Sequence, residues 1–189
     1  MKKMLLALVM LFSTGMVFAG VQEDMAVARQ QGITFSEDGK TLLRCPTNVT
    51  SVIIPSCVTA IGDQAFERCD RLTSVTIPDS VTTIGTAAFV FCRSLTSVTI
   101  PSSVTTIGDY AFSRCHSLTS VTIPTKVTTI GNYAFFDCRG LTSVTIPDSV
   151  TAIGERAFSN CSGLRSVSVP AGCQIGDRAF DRNCRVTRR

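Results

Sequence analysis

The sequence is short of the residues that most active sites need. It holds a single histidine, His116. A histidine-rich metal centre is therefore excluded, and a catalytic triad would have to be built on that one ring. No CxxC pair occurs among the nine cysteines, and the recurrent spacing of 22 intervening residues matches no zinc motif. The glycines recur singly rather than clustering into a phosphate-cradling loop. Carboxylates recur at turn offsets, with no apolar pocket announced to shift a pKa. Net charge is +4, falling to +2 without Lys2 and Lys3, too small to imply a nucleic-acid partner. Beyond the N-terminus no apolar run approaches the ~18 residues of a membrane span. These absences argue against an enzyme, and no cofactor or metal is expected.

What is present is a strong folding signal. The 189 residues are 44% hydrophobic and 17% charged, which predicts one folded body rather than disorder. Residues 1–19 read as a secretory signal: Lys2 and Lys3 form a basic start, Met4 to Phe12 an apolar run, and Val17-Phe18-Ala19 a small-residue cleavage pattern. Cleavage after Ala19 is the expectation, with a retained N-terminal anchor as the alternative. No cysteine follows at once, so a lipoprotein signal is not indicated.

From Val49 onward one string returns about every 23 residues, starting at Val49, Leu72, Leu95, Leu118, Leu141 and Leu164. The second copy, LTSVTIPDSVTTIGTAAFVFCRS, is typical. A unit this short is no four-stranded propeller blade; it suits one coil of a solenoid. Val75 and Ile77 share one face of a strand. Pro78 ends that strand, and Pro55, Pro101, Pro124, Pro147 and Pro170 do the same in the other coils. Val81 and Ile84 make a second short apolar step, and Gly85 marks a turn where a free backbone is useful. Ala88 and Phe89 open a short helical or 3-10 stretch ending near Cys92. Phe66, Phe89, Phe112, Phe135, Phe158 and Phe180 should stack as the spine of the core. One coil cannot bury its own apolar face, whereas stacking at roughly 4.8 Å per rung buries it continuously.

The pattern L-x-x-V-x-I-P-x-x-V-x-x-I-G-x-x-A-F-x-x-C resembles the BspA-like, or Treponema pallidum type, leucine-rich repeats. ITFSEDGKTLLRCP, residues 33–46, resembles the element preceding the first coil of such proteins, and Asp38-Gly39 between alternating runs is a hairpin signal in its own right. The expected organisation is a signal (1–19), an N-terminal cap with a β-hairpin (20–48), a leucine-rich repeat solenoid of six coils with a parallel β ladder (49–186), and a basic tail (187–189). The arginines from Arg178 to Arg189 suit either a solvated end-cap or contact with an anionic surface.

Six cysteines, Cys69, Cys92, Cys115, Cys138, Cys161 and Cys184, fall once per coil. They read as a ladder of small buried side chains, rung-to-rung disulfides being the geometrically poorer option. Cys45, Cys57 and Cys173 lie outside it, and a Cys45–Cys57 bridge is open in an exported protein. His116 replaces Asp70, Arg93, Arg139 or Ser162 of other coils and is expected as an exposed loop residue.

Two surfaces qualify for binding. With Val75 and Ile77 inward, Ser74, Thr76, Ser97, Thr99, Ser120, Thr122, Ser143 and Thr145 make an uncharged hydroxyl lattice, suited either to glycan or protein contacts or simply to solubility. Variation concentrates elsewhere, after the glycine, where Tyr110 and Tyr133 share one offset, Val90 and Phe136 another, and Phe91 lies beside them. Phe91, Tyr110, Tyr133 and Phe136 form a candidate aromatic edge. The resemblance implies an exported, non-catalytic binding protein of adhesin type, with a protein or glycan ligand such as host extracellular matrix, and no stable membrane insertion once the signal is removed. Cell-surface, freely secreted and periplasmic placement all remain open, since no lipidation site or wall-sorting tail is apparent. The alternatives are an envelope scaffold binding a protein of the same cell and, from the threonine columns, an ice-binding face.

Overall fold

The computed structural model describes the backbone of residues 15–189, with side chains from Gly20 onward except Val21. The expected signal segment thus lies outside the described residues, apart from the backbone of Gly15–Ala19. An α-helix, Gly15–Gln30, precedes the hairpin, where sequence reasoning expects none. Its described buried side chains are few, Met25 and Ala28, so its apolar period is faint. Gly32, at φ +84°, ends it: the Gly32 amide donates to Arg29 O and the Ile33 amide to Ala28 O, closing the last turn through a left-handed residue.

The chain then forms the hairpin, Thr34–Phe35 against Thr41–Arg44, and winds into a solenoid. The second apolar step of each coil builds one continuous sheet of eight strands, which begins with the hairpin. Beyond it come Ala60–Ile61, Thr83–Ile84, Thr106–Ile107, Thr129–Ile130, Ala152–Ile153 and Gln174–Ile175, all parallel and in register. The glycine after each pair makes this possible by close approach, not by an unusual φ. A Cβ on Gly131 would lie 2.6 Å from the Gly108 carbonyl carbon, and one on Gly108 would lie 2.8 Å from that of Gly85.

The first-step strands are less regular than the sequence implies. They pair only two by two: Ser51–Ile53 with Ser74–Thr76, Ser120–Thr122 with Ser143–Thr145, and Ser166–Val169 with Arg185–Arg188. Residues 97–99 of the third coil pair with neither neighbour. The rung is stretched there: the Thr96 amide reaches Thr73 O at 3.3 Å and the Thr119 amide reaches Thr96 O at 3.2 Å, against 2.8 and 2.9 Å for Thr73 and Thr142. The short second strands therefore carry the continuous ladder. The last arginines are a rung, not a loose tail. Arg188 donates to Ala171 O and Cys173 O at 2.8 and 2.9 Å, and Arg189 pairs with Asp148 at 3.0 Å.

The expected helical or 3-10 stretch is instead a run of tight turns. The second and sixth residues after the glycine are left-handed in the first five coils, and the second alone, Arg178, in the sixth; all eleven non-glycine residues with positive φ (48–63°) among the described residues fall at these offsets. Each such reversal forbids a helix and turns alternate amides toward the next coil. In the third coil Tyr110, Phe112 and Arg114 donate to Asn132 O, Ala134 O and Phe136 O at 2.7–2.8 Å. The intervening amides close turns onto carbonyls three residues back, as Ala111 does to Gly108 O.

Inside run the two predicted columns. The phenylalanine rings stack from Phe66 to Phe180 with centroids 4.7–5.3 Å apart and planes within 9°. Beside them the buried thiols of Cys92, Cys115, Cys138 and Cys161 donate to Phe66 O, Phe89 O, Phe112 O and Phe135 O at 3.1–3.2 Å. All nine cysteines are free thiols. Cys45 is not joined to Cys57; its neighbour is Cys69, whose thiol lies 3.9 Å from Cys45 O. Hydroxyls tie coil to coil on the outside, Ser80, Ser103 and Ser149 donating to carbonyls 22 residues back at 2.6–2.8 Å.

Candidate binding cleft on coils two to four

Left-handed φ values at Phe91, Tyr110, Arg114 and Tyr133 (63, 58, 62 and 55°) point these side chains out of the turn face. The same conformation recurs at both offsets in the first five coils, so it belongs to the fold and does not itself mark a site. What is particular is the residues placed there. Tyr110 and Tyr133 stack with centroids 4.8 Å apart and planes at 10°. Phe136 meets Tyr133 edge-on at 5.6 Å and 61°. Arg156 covers Tyr133 from the fifth coil, its Cζ 5.7 Å from the ring centroid. On the other side the same offset holds Ala87, too small to cover a ring, and Tyr110 is 41% exposed. The Tyr133 hydroxyl donates to Glu155 Oε1 at 3.1 Å; partial desolvation and this bond raise its pKa.

All four residues of the sequence-predicted aromatic edge line one cavity of about 310 Å³. Its floor is Ser113, 3% exposed, which sits between Val90 and Phe136 at an offset where its small side chain leaves a notch. The Ser113 hydroxyl donates to Phe136 O at 3.4 Å. Arg114 completes the wall.

The sequence reading passed over the arginines. Arg68, Phe91 and Arg114 occupy one offset in successive coils, so stacking alone brings both guanidinium groups onto the Phe91 ring, with Cζ at 5.5 and 4.9 Å from its centroid. Arg93 approaches at 5.5 Å. The signal was available in the column Arg-Phe-Arg. Arg68 has Glu67 at 3.7 Å and Arg93 has Asp70 at 3.5 Å. Among the described residues, Arg114 has no ion pair.

The next residue of that column, Asp137, is engaged elsewhere. It accepts Arg139 Nε at 2.8 Å and Nη2 at 3.3 Å and lies 3.1 Å from His116 Nε2. Burial would raise its carboxyl pKa, but the Arg139 and His116 bonds outweigh burial and hold it below the ordinary value. His116 is accordingly a half-buried partner of Asp137, not the exposed loop residue expected. The inner ladder thiols are shielded: burial pushes Cys161 up to about 12 and raises Cys115 and Cys138 well above the ordinary value. No group of three His, Cys, Asp or Glu among the described residues could hold a metal ion.

The eight hydroxyl residues of the other candidate surface are exposed as expected, and in-register pairing aligns Ser120 with Ser143 and Thr122 with Thr145. The face is interrupted at the third coil, where a second cavity of about 310 Å³ opens between 97–100 and 120–122. Among the described residues no helix is long and apolar enough to cross a membrane.

A six-copy, parallel-stacked coil with these columns defines a bacterial-type leucine-rich repeat solenoid. Residues 39–165 and 82–188 match the BspA type leucine rich repeat region in six copies, and the chain belongs to that family. It is similar to a leucine-rich repeat protein from Bacteroides ovatus (35% identity, TM-score 0.71, covering 78% of this chain and 41% of that one). It is similar also to a leucine rich cell surface protein from Faecalibacterium prausnitzii (33%, 0.65, 80% and 50%). The leucine rich repeat protein of T. pallidum is a third such neighbour (25%, 0.64, 78% and 84%). The chain spans about half or less of the length of the first two. No curated protein matches it.

Proposed function

We propose that this protein is an exported, non-catalytic binding protein of adhesin type, and that it holds a macromolecular partner in the aromatic cleft of coils two to four. One observation carries the reading. Four aromatic residues at the variable offsets of an otherwise uniform repeat converge on a single cavity, and rigid aromatic surface beside arginine is the composition of binding hot spots. Export is supported by the Lys2 to Ala19 pattern and by a relative described as a cell surface protein. The solenoid supplies an extended scaffold, and specificity resides in the few residues that break the repeat.

Surface binding to a panel of extracellular-matrix proteins and host glycans tests this. A variant with Phe91→Asn, Tyr110→Asn, Tyr133→Asn and Phe136→Ser empties the cleft, and asparagine suits the three left-handed backbones. Saturable binding by the native chain, lost in a variant with unchanged circular dichroism, is the expected result. Binding retained in the variant would move the site to the Ser/Thr face. Absence of binding across the panel, with the protein confined to the cell envelope on fractionation, would replace the adhesin reading with an envelope scaffold.

A further inference from the structure

Resting on that reading, we propose that the cleft takes an acidic peptide segment: a bulky apolar side chain fills the notch over Ser113, and a flanking carboxylate pairs with Arg114. Two features select this partner over an acidic glycan, the other ligand that a ring-and-arginine surface admits.

The first is the shortage of donors. Of the hydroxyls lining the cleft, that of Tyr133 is given to Glu155 and that of Ser113 to a backbone carbonyl. Tyr110 and Arg114 are what is left. A sugar carries hydroxyls on every edge, and burying them here would leave most unpartnered, each at a cost of about 1–3 kcal/mol. An aliphatic or aromatic side chain loses nothing, because the rest of the lining is Val90, Phe91, Phe136 and ring carbon.

The second is charge. Three guanidinium groups stand around Phe91, and among the described residues no carboxylate lines the cavity. Glu67 and Asp70 engage Arg68 and Arg93, which leaves the fork of Arg114 for an incoming carboxylate. Its contact with the Phe91 ring at 4.9 Å holds the guanidinium in place before the partner arrives. That lowers the ordering cost of binding, and a guanidinium is weakly hydrated and matches a carboxylate in two bonds.

The test uses the full chain and four capped probes: Glu-Glu-Phe-Glu-Glu, Glu-Glu-Ala-Glu-Glu, Lys-Lys-Phe-Lys-Lys and a uronate tetrasaccharide. Binding is followed by amide and tyrosine-ring NMR shifts. Glu-Glu-Phe-Glu-Glu should move Tyr110, Ser113 and Arg114, and the other three should not. Arg114→Asn, tolerated by the left-handed backbone, should weaken it about tenfold, the worth of one charge-assisted pair. Arg114→Lys should retain part of the affinity, and Arg114→Glu should turn the preference to Lys-Lys-Phe-Lys-Lys. Equal binding of the alanine peptide would overturn the proposal by showing charge attraction alone. Uronate binding at the same residues would also overturn it, leaving the adhesin reading in place. So would failure of every probe at a cleft whose aromatic variant still loses a panel protein. Failure of the probes and the panel together would remove both.

Discussion

The strand face and the turn face of this solenoid are products of one repeat, yet they differ in what each coil adds. On the strand face Ser-Val-Thr recurs nearly unchanged, and the outcome is an exposed hydroxyl surface with loosely joined rungs. On the turn face the inward Ala, Phe and Cys are constant while the outward offsets change from coil to coil. There the rungs are tightly stacked, and the outward residues meet across coils as Arg68-Phe91-Arg114 and Tyr110-Tyr133. The contrast teaches that in this solenoid the constant inward positions build a core shared between coils, while the variable outward positions meet down a column to form the candidate site.

That contrast can be broken most decisively in the spine. Phe112 stacks between Phe89 and Phe135 at 5.0 and 5.2 Å, and Phe112→Ala should cost about 3–5 kcal/mol, read as a large fall in the thermal midpoint. An unchanged midpoint would mean that the spine does not hold the coils together. Emptying the cleft should act in the opposite sense. Tyr110→Asn with Tyr133→Asn removes half-exposed rings but relaxes two left-handed backbones. Stability should therefore shift by no more than about 1 kcal/mol while ligand binding disappears. A collapse of the fold would make the edge structural rather than functional.

A smaller effect is expected at Asp137, and its sign follows from the carboxyl. Held below its ordinary value of 3.8 in the folded chain, it contributes stability above that pH, and the contribution is lost as pH falls through the folded-state value. Asp137→Asn should therefore be less stable than the native chain near pH 6, and urea midpoints of the two should converge toward pH 2. A gap independent of pH would refute the charge pairing with Arg139 and His116. Smallest of all, Thr76→Val and Thr122→Val on the hydroxyl face should change stability by about 0.5 kcal/mol or less and leave binding at the cleft untouched. Loss of binding there would transfer the site to the strand face.

Much of the fold was legible because every coil repeats it. The Phe66 to Phe180 spine, the cysteine column and the in-register stacking follow from one apolar pattern that has no other way to be buried. The helix Gly15–Gln30 was not legible, since its contacts with the body are few and non-periodic. Nor was the exchange of roles between the two strand rows. The recurrent Gly85 suggests a free turn, whereas its work is to let the backbone of the preceding coil at Gly62 and Asp63 approach, a relation between residues 23 apart that no local rule reports. The turn segment misleads for the same reason: Ala-Ala-Phe-Val-Phe reads locally as a short helical stretch, but its alternate amides, those of Ala87, Phe89 and Phe91, find carbonyls in the following coil.

By itself the sequence determined that this chain stacks six coils, which residues face inward, and which offsets are free to vary. Only the tertiary structure decided that Phe91, Tyr110, Tyr133 and Phe136 share one cavity, that Arg114 stands in its wall with no acidic partner among the described residues, and that Asp137 looks to Arg139 and His116 instead. The physical reason is separation of scale. Burial is set by a period within one coil, whereas contact between side chains 20 or more residues apart depends on rung spacing, on left-handed turns and on which neighbour each charge reaches first.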